Sequence, residues 1–138
     1  MKGVFVRASI AFTKEALERI GAAPNRALGQ NFCIDGDRLS ACVERMTLAP
    51  NVIEIGPGFG ALTELLLNRG ARVIAVEKDE AMVRFLRETL PNERLSVICG
   101  DALKFGWHDA PAPFSVVGNL PYYITTQILL TLLEKNLP

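Results

Sequence analysis

Short apolar runs alternate with amphipathic stretches over the last two thirds of the chain. Residues 52–55 (Val-Ile-Glu-Ile) are nearly all apolar, the pattern of a short strand covered on both faces. Residues 61–68 then predict a helix, with Gly70 beyond its end. Residues 72–76 read as a second strand, and residues 79–90 as a second helix stopped by Pro91. A third strand is expected over 95–99, a fourth over 114–117, and a further helix over 125–135. This order, with short connections, predicts an α/β fold built on a parallel sheet with right-handed crossovers.

The first part of the chain lacks strand patterning. Phe12, Ala16, Leu17 and Ile20 predict an amphipathic helix over 11–20, closed by Gly21. Residues 24–32 read as a loop centred on Gly29. Asp35 can cap another helix whose apolar positions are Leu39, Cys42, Val43 and Met46. The chain therefore divides into a helical and loop segment, residues 1–50, and a strand–helix series, residues 51–138. Residues 109–113 read as a rigid loop.

Composition narrows the function classes. The 138 residues, 49% of them hydrophobic, give one domain a real core. Fifteen basic residues balance fifteen acidic ones, which argues against binding nucleic acid by bulk charge alone. Up to Ile34, Lys2, Arg7, Lys14, Arg19 and Arg26 outnumber Glu15 and Glu18, so five minus two gives +3. That bias reads as a solvated surface or as phosphate contacts. Cys33, Cys42 and Cys99 show neither metal-ligand nor disulfide spacing, which fits a reducing, cytoplasmic setting and no metal. The opening apolar residues are cut short by Arg7, so no secretory signal is expected. No apolar stretch approaches the ~20 residues needed to span a bilayer, so no membrane association is expected.

Two motifs carry chemistry. Gly56, Gly58 and Gly60 follow a strand and open a helix, where glycine lets backbone amides approach a ligand and the helix amino end favours negative charge. Glu77, at the end of the second strand, can bind ribose hydroxyls, and Asp101 after the third can accept from an adenine amine. The glycine pattern also satisfies the dinucleotide fingerprint, ending at Ala61, so a nicotinamide-dependent oxidoreductase stays open. So do blander roles: a ligand-free turn for the glycines and a turn cap for Asp101.

The second motif is Asn119-Leu120-Pro121-Tyr122, directly after the fourth strand. An amide, backbone carbonyls and a ring at a strand end can grip a flat base with an exocyclic amine. The alternative is a strand-ending turn in which Asn119 bonds its own backbone and Tyr122 fills a core.

Taken in order, Leu28-Gly29-Gln30-Asn31-Phe32, Glu54-Ile55-Gly56-Pro57-Gly58-Phe59-Gly60-Ala61-Leu62-Thr63, Gly100-Asp101-Ala102 and Asn119-Leu120-Pro121-Tyr122-Tyr123-Ile124 resemble the ribosomal RNA adenine N6-dimethyltransferases. The bacterial small-subunit (16S) branch is the most similar, and the resemblance spans about residues 26–134. It implies a Rossmann-like methyltransferase fold using S-adenosylmethionine, with strand order three, two, one, four. It further implies that Asn31 and Cys33 contact the cofactor; the family commonly has leucine at Cys33, a change that a main-chain contact survives and that weakens a packing role. By the same resemblance Gly56 would line the methionine portion with Gly58 also binding the cofactor, Glu77 would hold the ribose and Asp101 the adenine, and Asn119 would sit between cofactor and target amine. The resemblance makes Asn119, Leu120, Pro121 and Tyr122 the expected catalytic clamp and ribosomal RNA in an immature small subunit the expected partner.

The family's catalytic domain continues with more strands and a small helical RNA-binding domain, so this chain reads as a truncated form of uncertain activity. Its fourth strand is then an open edge that invites self-association. Two other readings remain. One is a large-subunit adenine methyltransferase of the erythromycin-resistance type, which usually has Ile at the position of Leu120. The other is a non-catalytic RNA-binding or ribosome-assembly factor.

Overall fold

The apolar segments assemble into one parallel sheet in the computed structural model, which describes residues 7–23 and 32–135. Strand β1 (Asn51–Ile55) is central, flanked by β2 (Arg72–Glu77) and β4 (Phe114–Val117), with β3 (Leu95–Cys99) outside β2. The order is therefore β3-β2-β1-β4, as the resemblance implied. Ile53 pairs with Ile74 on one side and Val116 on the other, which brings the carboxyl ends of the strands level along one rim. β2 runs one residue further than its apolar run, through Glu77, whose carbonyl accepts from the Gly100 amide at 2.8 Å.

Helices cover both faces. On one face lie α2 (Gly36–Arg45), α3 (Ala61–Asn68) and α4 (Glu80–Thr89). There Val52, Val73 and Ala75 from the sheet pack against Leu62, Leu66 and Val43. On the other face, Ile53, Ile55 and Val76 meet Ile128 of α5 (Tyr122–Glu134) and Trp107. Trp107 lies in a short 3-10 turn before the predicted rigid loop, buried against Phe105 and Phe114. Nothing in the apolar spacing announced this anchor.

Helix α1 (Ile10–Ile20) starts at Ser9, whose hydroxyl accepts from the Phe12 amide, and stops at Gly21 in the left-handed region. It packs outside α4, where Ala16 joins Phe59, Met82 and Phe85 in a third apolar cluster. Asp35 caps α2 as its sequence position predicts, and Asp79 caps α4 rather than lying inside it.

Two expectations change. Cys42 is exposed, because Leu39, Val43 and Met46 complete the buried stripe of α2 and Cys42 falls on its margin. Helix α5 begins at Tyr122, three residues before the predicted start. Pro121, with φ −59°, stands at the cap and launches the helix directly.

Candidate functional site

The rim where the strands end opens into a cavity of about 290 Å³, near the lower end of the roughly 300–1,000 Å³ usual for small-molecule sites. Its walls include Cys33, the turn from Gly56 to Phe59, Glu77, Asp101 and the segment from Asn119 to Pro121. The cofactor candidates and three of the four clamp residues thus share one space. Residues 24–31, with Gly29 and the predicted cofactor contact Asn31, lie outside the described residues.

The glycine turn has the shape its sequence demands. Gly58 and Gly60 have φ of +58° and +87°, the left-handed region that side chains resist. A Cβ on Gly60 would also stand 2.7 Å from a methyl of Leu86, so a larger residue there would have to displace that side chain as well as adopt the left-handed backbone. A Cβ on Gly58 would meet the Phe32 ring at 3.5 Å. Phe32 in turn stacks on Phe59 at 4.7 Å between ring centres, and this places the last residue of the Leu28–Phe32 motif over the turn.

Carboxylates line the same rim. Glu77 is 8% exposed, and its two oxygens accept from the amides of Gly58 (3.1 Å) and Asp79 (3.0 Å). Burial pushes its carboxyl above the ordinary range, while these amide bonds pull the other way. A carboxylate oxygen takes more than one hydrogen bond, so capacity for ligand hydroxyls remains. Asp101 does cap a 3-10 turn, Ala102–Lys104, by accepting from the Leu103 amide through Oδ1 (2.9 Å). Its Oδ2 lies 3.7 Å from Lys78 Nζ, a half-exposed pair of small energetic weight. The bland role of Asp101 is therefore realised alongside its place in the cavity wall. Cys33 contributes to the wall near α2, its thiol 3.8 Å from the Asp35 carbonyl.

Gly118 brings the clamp to the turn. A Cβ there would lie 2.7 Å from the Ile55 carbonyl, so the chain leaving β4 passes against the end of β1. Asn119, Leu120 and Pro121 consequently border the cavity opposite Gly56. Tyr122 does not. It is 89% exposed, which rules out the core-filling alternative, and its ring meets Tyr123 edge-on at 6.0 Å. Tyr123, which carried no assigned role, borders the cavity instead. The reason is the early start of α5, which turns successive residues by 100° and so separates neighbouring rings.

Two further charged residues escaped the sequence reading. Glu54 is 1% exposed at the end of β1, lines the cavity, and accepts from Thr63 Oγ1 at 2.7 Å. Burial raises its carboxyl to about 7, against the Thr63 bond that lowers it, with Glu77 adding a smaller push upward. The available signal was one acid within an otherwise apolar strand. Arg7, counted in the basic bias as surface or phosphate contact, is buried at 8% exposure, and a lone arginine outside any motif offered no sign of that. Arg19, from the same group, pairs with Glu88 at 3.3 Å.

Residues 21–138 match the family model for ribosomal RNA adenine dimethylase. Over 123 residues the chain is 49% identical to ribosomal RNA small subunit methyltransferase A of Deinococcus radiodurans, covering 88% of this chain and 42% of that protein. The protein of the same name from Bacillus cytotoxicus is 42% identical, covering 91% and 47% respectively. This chain thus spans less than half the length of either curated relative. Among solved structures, the 23S rRNA methyltransferase ErmE superposes with a TM-score of 0.63 at 34% identity, covering 74% of this chain and 42% of that one. A dimethyladenosine transferase from Plasmodium falciparum gives 0.55 at 25% identity, covering 74% and 37%. The fold is that of the Rossmann-like methyltransferases, and sequence and structure agree that the chain belongs to the ribosomal RNA adenine dimethylase family.

Proposed function

We propose that this chain is the cofactor-binding and base-clamping part of a cytoplasmic adenine N6-methyltransferase. It uses S-adenosylmethionine and dimethylates adenosines of 16S ribosomal RNA in immature small subunits. One observation carries this reading: the glycine turn and the segment from Asn119 to Pro121 wall a single cavity.

The cavity's donor set suits an adenosine-bearing cofactor. A glycine turn that lets a ligand approach the backbone closely, a buried carboxylate on β2 and a second carboxylate past β3 are spaced along one rim. Gly56 and Gly58 would line the methionine portion, Glu77 would accept from ribose hydroxyls, and Asp101 from the adenine amine. Asn31 and Cys33 would contact the same cofactor, as the family resemblance implies. When bound, S-adenosylmethionine supplies an electrophilic methyl group on a sulfonium.

The chain's own residues would act on the target base. The Asn119 amide oxygen and the Leu120 carbonyl accept the two hydrogens of the adenine amine, localising a lone pair otherwise spread into the ring. The neutral amine needs no strong base at the outset, because its proton leaves after attack. Pro121 fixes φ and so aims the Leu120 carbonyl. Tyr122, exposed at the first turn of α5, can stack on a base extruded from its helix, since pairing otherwise occupies the amine. In-line positioning can supply up to roughly 7–11 kcal/mol of the barrier.

The likeness to ErmE favours a second reading, an adenine in large-subunit RNA. The higher identity to proteins named for the small subunit supports the first. Tritiated methyl transfer separates them. Label in adenines of immature small subunits supports the proposal, and label in large-subunit RNA supports the rival. Co-sedimentation with small subunits without transfer identifies a non-catalytic assembly factor. Titration calorimetry with S-adenosylhomocysteine and with a nicotinamide dinucleotide tests the cofactor class, and preference for the second sinks it.

We also infer that the outer edge of β4 pairs with a second copy, since β4 is an edge strand of four half-buried residues. Light scattering across concentrations checks this, and a strictly monomeric chain overturns it.

A further inference from the structure

Arg7 precedes the family-matched region, which starts at residue 21, yet it is among the most deeply placed charges among the described residues. A buried guanidinium is costly unless its donors are met, and here they are met by two different elements. Nη1 donates to the Phe59 carbonyl at 2.9 Å, inside the glycine turn, and lies 3.3 Å from Thr89 Oγ1. Nη2 donates to the Thr89 carbonyl, at the last residue of α4. Nε faces Glu64, in the first turn of α3, at 3.7 Å. One planar fork thus joins the end of α4 to the start of α3, and the cation also suits the negative carboxyl end of α4.

The position of this tie matters. Phe59 lies between Gly58 and Gly60, two left-handed glycines whose peptides have the least intrinsic preference for one conformation. Its ring is held by Phe32 and Phe85, the latter met by Phe12 of α1, and its carbonyl is held by Arg7. The guanidinium carbon sits 5.2 Å from the Phe12 ring centre, and Arg7 itself borders the cavity.

We propose that Arg7 is a positioning residue for the cofactor pocket. By pinning the Phe59 carbonyl to the end of α4, it holds the glycine turn in its binding shape and makes the N-terminal segment part of the binding apparatus. This deepens, and rests on, the assignment of the cavity to S-adenosylmethionine. Lysine offers its donors from one nitrogen, whereas Phe59 and Thr89 are served by two separate guanidinium nitrogens, so charge alone substitutes only in part.

The test uses the whole chain and the variants Arg7→Met, Arg7→Lys and, as a control, Val73→Ala. Val73 is buried at the start of β2, the end of the sheet away from the cavity, so its truncation lowers stability without touching the turn. Two quantities are read well below the unfolding temperature: affinity for S-adenosylhomocysteine, and amide hydrogen exchange at residues 56–60 without ligand. The expected result is affinity at least tenfold weaker in Arg7→Met, partly restored in Arg7→Lys. Exchange at 56–60 should accelerate in Arg7→Met while that in β1 and β2 stays slow, and Val73→Ala should change neither. Unchanged affinity and exchange in Arg7→Met overturn the proposal, as does an equal affinity loss in Val73→Ala. Should Arg7→Met fail to fold, Arg7→Lys must show the faster local exchange, and its absence overturns the proposal equally. If the unsubstituted chain binds no S-adenosylhomocysteine, the cofactor assignment fails, while the exchange comparison still decides whether Arg7 holds the turn.

Discussion

The two walls of the cavity are built differently. The wall made by β1, the glycine turn, α3 and β2 is sealed: most of its side chains are buried, and its buried charges are held by named partners. Glu54 is met by Thr63, Glu77 by two amides, and Arg7 by two carbonyls. Among the described residues no buried side-chain polar atom lacks a partner. The opposite wall, made by β4 and α5, is open: β4 is half-buried throughout, and α5 presents Tyr122, Leu129, Leu130 and Leu133 to solvent. The sealed wall costs no reorganisation when a small ligand arrives, as tight recognition of a fixed shape requires. An open wall suits a bulky, variable substrate whose own surface completes the contact.

Four experiments break or sharpen that contrast, in descending order of expected effect. Asn119→Ala should lower methyl transfer by on the order of 10²–10³-fold, the usual cost of losing one group aimed at a reacting centre, while S-adenosylhomocysteine affinity stays within a few-fold. Retained turnover would remove Asn119 from the chemistry. Truncating one leucine on each side gives a direct comparison of packing. Leu66→Ala, at 0% exposure beneath the sealed wall, should cost about 2–5 kcal/mol, whereas Leu133→Ala, at 74% exposure, should stay within about 0.5 kcal/mol. Similar losses in urea denaturation would show that α5 is covered after all.

The third experiment uses pH. Glu54 has its carboxyl raised to about 7 in the folded chain, so between its unfolded range and that value the native state holds an extra proton. Stability should therefore be highest on the acid side and fall as pH rises toward 7, by up to roughly 3 kcal/mol. Glu54→Gln keeps an acceptor for Thr63 and should flatten that slope; a slope left unchanged places the titration elsewhere. A cation bound in the cavity favours ionised Glu54, so cofactor binding should also release protons near pH 7, and comparison of calorimetric heats in buffers of different ionisation enthalpy detects this. Last, Tyr122→Ala should reduce turnover by up to the ~1–3 kcal/mol of one stacked base, with Tyr122→Phe close to unchanged. Equal losses in both variants would indicate a hydroxyl role.

Much of the sealed wall was legible from residue order. The run at 52–55 and the glycines after it each state a local preference, as do the caps Asp35 and Gly21 of the helices before them, and local preference suffices where an element's neighbours are close in the chain. Both 61–68 and 95–99 became elements with those bounds. The open wall was read less well. Tyr122 and Tyr123 look equivalent in sequence, and only the start of α5 at Pro121 sends one to solvent and the other to the cavity. Glu54 and Arg7 were missed for a related reason. Their character comes from partners 9 and 52 residues away, Thr63 and Phe59, and no local pattern encodes such a pairing.

The residue order alone determined the parallel α/β architecture, the family and the place of the two motifs at strand ends, because periodicity, turn glycines and strand-end polar groups act over a few residues. Tertiary structure decided which charges are buried, which tyrosine faces the cavity and what holds the glycine turn. Those properties depend on desolvation and close approach between distant segments, and they exist only once the sheet has brought its strand ends to one rim.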